Sequence, residues 1–292
     1  FKDRHKGETI YVMGNGPSLA HTDLSLIKGS PIIAMNRIAM IYDKYPDWEP
    51  TYYIFCSSNI VNPIWGADWR RSVAMSVERH GVTSFVDQRC IDTLKEHGHT
   101  ISDNVHILTS ITENKPSPSG ELHSNSFSTD AVTSVDKSGS TVNVALQLAF
   151  LMNPDRVVCL GTDLGWTADN GSKTDHNHFE KSYRAHIPDP VKTNLQMRGV
   201  HVMAKRAFEE LRPNTQMLNA SKSTKLDVYP VIDYEKFART GKIVRLAAQQ
   251  QLAEDYWKQL KQEPRLVIRF RKFSFRVREK LRTLVNTAVG RK

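Results

Sequence analysis

Short apolar runs alternate with helically spaced ones along most of this chain. Residues 9–13, 31–35, 51–56, 83–86, 105–109, 156–160 and 216–218 are apolar runs bounded by glycine, proline or polar pairs, and read as strands. Residues 38–45, 69–80, 142–152, 191–211 and 244–260 place apolar side chains every third or fourth position and read as helices. This alternation predicts the α/β class, a doubly wound, mostly parallel Rossmann-like sheet.

Ligands of such sheets gather outside the carboxyl ends of the strands, so the residues at the exit of each run matter most. The first run empties into Gly14-Asn15-Gly16-Pro17-Ser18-Leu19, and others into Asn36-Arg37, Ser57-Ser58-Asn59 and Gly161-Thr162-Asp163. Two glycines let a main chain approach a phosphate closely, and Pro17 stiffens the exit. Ser18 either caps a helix beginning near Leu19 or gives its hydroxyl to the ligand. The third glycine of the dinucleotide fingerprint is absent, as is the Gly-Lys-Ser/Thr of a P-loop. Taken singly, each exit is also ordinary turn chemistry. Four together point to a nucleotide. A further anion site is expected at the helix start Ser138-Gly139-Ser140-Thr141, where free N–H groups and the helix dipole favour negative charge.

Two stretches break the alternation. Residues 110–137 are rich in Ser, Thr, Pro and Asn without a period, and read as a lid or disordered loop. Residues 165–190 carry Asp169, Asp175, His176, His178, Tyr183 and His186, and read as a catalytic loop. With His201, four of the eleven histidines fall between positions 176 and 201. Histidine titrates nearest neutral pH, which makes this loop a source of a general base. In an extended chain His176 and His178 share a face. No Cys joins them and H-E-x-x-H is missing, so zinc is poorly supported. Asp163, at a strand end, can hold a metal, bond a ribose or orient the next loop, with an Asx turn or helix cap as the plain alternative. Asp163, Asp169 and Asp175 are the candidates for a magnesium ion if the donor carries a diphosphate.

Charge adds a partner. The net charge is +9, yet residues 265–292 hold ten Lys/Arg and one Glu, leaving 30 basic and 30 acidic residues in the remainder. Within this tail Leu266, Phe270, Phe273, Val277, Leu281, Leu284 and Ala288 form one stripe flanked by Arg269, Lys272, Arg276, Lys280 and Arg282. A basic amphipathic helix of this kind suits an anionic membrane surface, each cation contributing about 1 kcal/mol. The body shows no matching basic patch, which ranks nucleic acid last. No apolar run approaches the roughly 20 residues that cross a bilayer, and no signal peptide is visible. Three scattered cysteines, Cys56, Cys90 and Cys159, fit a reducing compartment. The expected location is cytoplasmic, peripheral on the inner face of the membrane. The chain opens on Phe1 rather than Met, which leaves room for a few residues upstream.

The opening Phe1-Lys2-Asp3-Arg4-His5-Lys6-Gly7-Glu8, the Gly14–Leu19 loop, Met35-Asn36-Arg37 and Glu49-Pro50-Thr51-Tyr52-Tyr53 resemble the MptE-like family. So do the 139–149 helix leading to Leu160-Gly161-Thr162-Asp163, His178-Phe179 with Tyr183, and Lys225-Leu226-Asp227-Val228-Tyr229-Pro230. The resemblance spans roughly residues 1–240. It implies either ATP- and magnesium-dependent 6-hydroxymethylpterin diphosphokinase chemistry or a surface-glycan activity. The chain is more distantly similar to small bacterial sialyltransferases that use CMP-activated sialic acid and end in a basic membrane-associating tail. That similarity implies nucleotide contacts at Asn15, Gly16, Ser18, Asn36, Ser58 or Asn59, and 138–140, with a histidine base. His178 and His186 are the candidates, with His201 open. Leu164-Gly165-Trp166 departs from that pattern, which would have an aromatic pair there.

The expectation is therefore a nucleotide-binding transferase domain over 1–240 and a helical region over 241–292 ending in the tail. Transfer from a nucleotide-activated sugar to a glycan or lipid-linked acceptor leads. Pyrophosphoryl transfer to a pterin and a non-catalytic nucleotide-binding scaffold are the alternatives.

Overall fold

A computed structural model of the chain describes residues 1–111, 127–137, 140–168, 174–183 and 189–262. Seven strands form one sheet: β1 (Thr9–Met13), β2 (Ile32–Met35), β3 (Tyr52–Phe55), β4 (Thr83–Asp87), β5 (Val105–Leu108), β8 (Arg156–Leu160) and β9 (Gln216–Asn219). A separate two-stranded pair joins β6 (Ser110–Ile111) to β7 (Val135–Asp136) at the two ends of the Ser-rich stretch. The large sheet runs β5-β4-β3-β2-β1-β8-β9, and every pairing in it is parallel. The fold is thus α/β and Rossmann-like, as the alternation predicts.

Successive strand residues point to opposite faces, and both faces are covered. Tyr11, Met13, Ala34, Phe55 and Leu160 face one core, packed beneath α1 (Gly66–Val77), α2 (Gln88–Glu96) and α5 (Tyr234–Thr240). Ile10, Val12, Ile33, Ile54 and Cys159 face the other, beneath α3 (Thr141–Met152) and α4 (Pro190–Leu211). A last helix, α6 (Ala247–Gln262), lays Ala253 and Trp257 onto the body.

Several elements differ from the sequence expectation, each for a local reason. The helix expected over 38–45 is a single 3₁₀ turn, Ile38–Ile41, because Pro46 lies just ahead and disfavours α geometry at Tyr45. The helix expected near Leu19 is likewise a 3₁₀ turn, Pro17–His21. Helix α1 begins three residues before expectation, and α2 and α5 are not among the helices named from the pattern. Both are short; Asp87 caps α2 by accepting from the Arg89 amide, and Asp233 caps α5 by accepting from Lys236.

The opening segment closes the amino end of the sheet, away from the strand exits. The Asp3 and His5 amides cap the carboxyl end of α3 by donating to the Leu151 and Met152 carbonyls, both at 3.0 Å. His5 Nε2 meets the Tyr52 hydroxyl at 2.7 Å. Part of the motif behind the family resemblance is therefore a structural clamp.

The chain leaves β1 toward β2 on one side and returns to β1 from the other side through β8. The order of connection reverses there, so the crevice at the carboxyl ends of β1 and β8 is the switch point where such sheets bind ligands. Among the described residues no helix is long and apolar enough to cross a membrane. The tail, 265–292, lies outside the described residues.

Candidate functional site

A cavity opens at this switch point, over the carboxyl ends of β2, β1 and β8. Its floor is two glycine turns set back to back. The Gly14 amide donates to the Leu160 carbonyl at 2.8 Å and the Gly16 amide to the Gly161 carbonyl at 2.7 Å. Gly161 sits at φ +59, and a Cβ there would come within 2.8 Å of the Gly14 carbonyl oxygen. A Cβ on Gly14 would stand 2.5 Å from the Gly161 oxygen. Glycine is required on both sides of this contact by space alone.

Asp163 fastens the floor from behind. Its Oδ2 accepts from the Ser18 amide at 2.9 Å, while its own carbonyl accepts from the Lys225 amide at 2.6 Å. Burial pushes the Asp163 pKa up to about 6 against the opposing hydrogen bonds from Ser18. Of the roles open to this residue, orienting a loop is the one its geometry fills.

The wall on the β2 side comes from Asn15, Met35, Asn36 and Ser140. Asn15 donates to the Met35 carbonyl at 3.0 Å. Asn36, at φ 56, accepts from the Thr141 hydroxyl at 3.1 Å and so ties β2 to the start of α3. Ser140 caps α3 by accepting from the Val142 amide, which leaves that helix start directed at the cavity.

The opposite wall is the histidine strap. His178 Nδ1 lies 2.9 Å from Asp175 Oδ2, with both side chains almost fully buried. A carboxylate only accepts, so Nδ1 carries the proton and Nε2 is left as the basic nitrogen. Nε2 has no partner among the described residues, and His178 lines the cavity. Its ring stacks on Tyr183 at 3.8 Å and meets Trp166 edge-on at 4.8 Å. Burial holds its pKa below the ordinary 6.5, with Asp175 opposing and the Arg37 charge assisting. The imidazole is neutral and ready to take a proton at neutral pH.

Side chains from elsewhere hold the strap. Arg37 donates to the Ser182 and Tyr183 carbonyls and lies over the rings of Trp69 and Tyr183. Asn177 pairs with both main-chain groups of Thr167, at 2.8 and 3.0 Å. Asn194 of α4, 2 % exposed, accepts from the Gly165 and Trp166 amides and donates to the Trp166 carbonyl. The strap meets the floor directly, because the Phe179 amide donates to the Asn15 carbonyl at 2.9 Å.

Of the residues expected at the site, Gly14, Asn15, Gly16, Pro17, Asn36, Ser140, Gly161, Thr162, Asp163 and His178 line the cavity, joined by His176 and His201. Ser18 and Thr141 sit just behind, one bonded to Asp163 and the other to Asn36. Arg37 is a correction: its guanidinium turns away from the cavity to hold the strap. Ser58 and Asn59 are another, because they belong to a 3₁₀ turn capped by Ser57 and do not line the cavity. His201 is buried in α4 against Tyr229, which lowers its pKa to about 3. Ser138, Gly139, Asp169 and His186 lie outside the described residues. Trp166, Asn177, Asn194 and Met197 were not expected. Asn194 is detectable as a polar side chain on the buried stripe of α4, seven positions before His201.

Two of the three acidic candidates for a magnesium ion are engaged in the protein, and the third, Asp169, lies outside the described residues. Asp163 holds Ser18 and Asp175 holds His178, and among the described residues no group of three His, Cys, Asp or Glu stands close enough to bind a metal. Among the described residues no Lys or Arg lines the cavity either, and the Gly14, Gly16 and Ser18 amides already donate within the protein, so an anion there is met by the start of α3. Compared with known proteins, the chain matches no family model, no curated protein and no solved structure.

Proposed function

We propose that this chain is a nucleotide-binding transferase of the MptE-like type. It moves a sugar from a nucleotide-activated donor, a CMP-sugar fitting best, to a hydroxyl of a glycan or lipid-linked acceptor during surface polysaccharide or lipopolysaccharide synthesis. The observation that carries the reading is the buried Asp175–His178 pair facing a glycine-floored cavity at the switch point of a parallel sheet.

The chemistry follows from that arrangement. His178 Nε2 takes the proton of the acceptor hydroxyl as its oxygen attacks the anomeric carbon. The bond from that carbon to the phosphate oxygen breaks, and its electron pair leaves with the nucleotide monophosphate. The start of α3, through its dipole, meets the charge that develops on the phosphate. Asp175 keeps the imidazole in one tautomer and stabilises the cation formed when the proton arrives. A single departing phosphate needs no second charge neutralised, in keeping with a cavity wall free of cations among the described residues. The basic, apolar-striped 265–292 segment supports a reaction at an anionic membrane surface.

Thermal-shift screening against CMP, CDP, UDP, GDP and ATP, with and without magnesium, tests the reading. Stabilisation by CMP without metal is expected. In His178→Ala the CMP-induced shift persists, while hydrolysis or transfer of a bound CMP-sugar falls about 10²–10⁴-fold. Stabilisation by ATP with magnesium alone would replace this function with pyrophosphoryl transfer, and no stabilisation by any nucleotide would leave a scaffold.

A further inference from the structure

Trp166 is a half-buried indole on the rim of the cavity, and the chain commits unusual means to holding it there. The two residues before it both take left-handed backbone conformations, Leu164 at φ 56 and Gly165 at φ 77. Such a conformation is strained for leucine and persists where surrounding contacts impose it. Here those contacts are the three hydrogen bonds from buried Asn194, at 2.8, 2.9 and 2.9 Å, and the Asn177 pairing on Thr167. Leu164 itself packs against the core beneath α3 and α4, and the turn it starts reaches beyond that core. Its effect is to hold the indole against the His178 ring, edge to face, with the ring centroids 4.8 Å apart.

The position of that face in the sheet separates it from the nucleotide end. Asn36 and the start of α3 stand over β2, whereas Leu164–Trp166 emerge from β8, on the far side of β1. Two interstrand spacings, about 10 Å, separate those ends. A donor whose phosphate lies over β1 and the start of α3 therefore leaves the β8 side, with Trp166, His176 and Met197, to the second substrate. That surface combines an apolar aromatic plane with imidazole hydrogen-bonding groups. A pyranose presents the complementary pair: one face of C–H groups to lie on the indole, and a rim of hydroxyls, one of which reaches His178.

We propose that Trp166 is the platform for the acceptor, that the acceptor is a pyranose ring rather than a bare lipid alcohol or a pterin, and that Asn194 is its positioning residue. This rests on the transferase reading above. The test labels the full chain with 5-fluorotryptophan and follows its ¹⁹F resonances, that of Trp166 assigned by its loss in Trp166→Phe. With CMP bound, the methyl pyranosides of glucose, galactose and mannose and N-acetylglucosamine are titrated in turn, then 6-hydroxymethylpterin. At least one pyranoside is expected to shift the Trp166 line saturably while leaving Trp48 and Trp257 unmoved. Trp166→Ala is expected to weaken that pyranoside about five- to tenfold with CMP affinity unchanged. Asn194→Ala, which keeps the tryptophan but removes the three hydrogen bonds that place it, is expected to broaden the Trp166 line and weaken the same sugar. The proposal is overturned if CMP alone or the pterin saturates the Trp166 shift, or if CMP binds and none of the pyranosides moves it. Failure of every nucleotide to bind instead overturns the transferase reading beneath it.

Discussion

The two walls of the cavity are built on opposite plans. The glycine floor is shaped by side chains that are absent: Gly14 and Gly161 touch main chain to main chain, and their hydrogen bonds run from backbone to backbone. The histidine strap is shaped by borrowed side chains, from Arg37 after β2, from Asn194 of α4, and from its own Asp175 and Asn177. A floor of the first kind tolerates no added atom, and its central contact is main chain against main chain. A strap of the second kind has no main-chain ladder of its own and depends on residues far along the chain. The first suits a ligand part that is always the same, such as a phosphate; the second suits a part whose geometry is tuned by substitution.

The sharpest way to break the floor is to add one methyl group. In Gly16→Ala the new Cβ falls within 2.7 Å of the Gly161 carbonyl oxygen and collides with the Asp163 carboxylate. Both neighbours are main chain or pinned to it, so neither yields cheaply. We expect a loss on the order of 3 kcal/mol in urea unfolding, together with loss of the CMP-induced thermal shift. Gly29→Ala is the control: it lies at positive φ but has nothing within 4 Å, and is expected to cost about 1 kcal/mol. Equal losses at the two positions would mean that the back-to-back contact is not what requires glycine.

The strap breaks through its remote partner. Arg37→Lys keeps the charge but loses the planar group that lies over the Trp69 and Tyr183 rings and the Nη1 whose two protons go to the Ser182 and Tyr183 carbonyls. We expect about 2 kcal/mol less protection in hydrogen exchange at the Phe179 and Tyr183 amides, with the amides of β1 and β8 unchanged. A uniform loss across the sheet would make Arg37 a core residue rather than a strap residue.

The same contrast decides what the sequence reveals. Strands are legible because both faces of a parallel sheet are buried, so each becomes a short apolar run. The glycine floor is legible for a related reason, since its cause lies in the residues themselves. Ser57, Ser58 and Asn59 mislead because a polar strand exit reads alike whether it faces a ligand or caps a turn, and here Ser57 caps one. Arg37 misleads in the opposite direction: a cation after a strand suggests a phosphate, yet its partners are carbonyls about 145 positions away. Trp166 carries no periodic signal at all, because its placement comes from two left-handed residues and an asparagine on another helix. Local chemistry shows in the pattern of residues; chemistry assembled from remote parts does not.

Asp163 joins the two plans, since it is a charged side chain fastened to the glycine floor, and it gives the smallest of these effects. Its carboxylate is buried with Oδ2 on the Ser18 amide, while Oδ1 has no partner among the described residues. Its pKa near 6 exceeds the unfolded value of about 3.9, so the folded chain holds this proton more tightly than the unfolded chain. The contribution to stability is therefore fully present below about pH 4 and is lost as pH rises through about 6. At pH 8 the wild type bears a buried, half-partnered charge. Asp163→Asn removes that charge but keeps an oxygen for Ser18. The variant is expected to be more stable than wild type at pH 8 by about 1–2 kcal/mol, below the roughly 3 kcal/mol that two pKa units represent because a neutral acceptor bonds Ser18 less strongly. The margin shrinks between pH 6 and 4 and vanishes below, which unfolding curves at pH 8, 6 and 4 would follow. A variant less stable than wild type at pH 8 would mean that the charge itself, through Ser18, holds the floor closed, and that the floor too relies on a distant side chain.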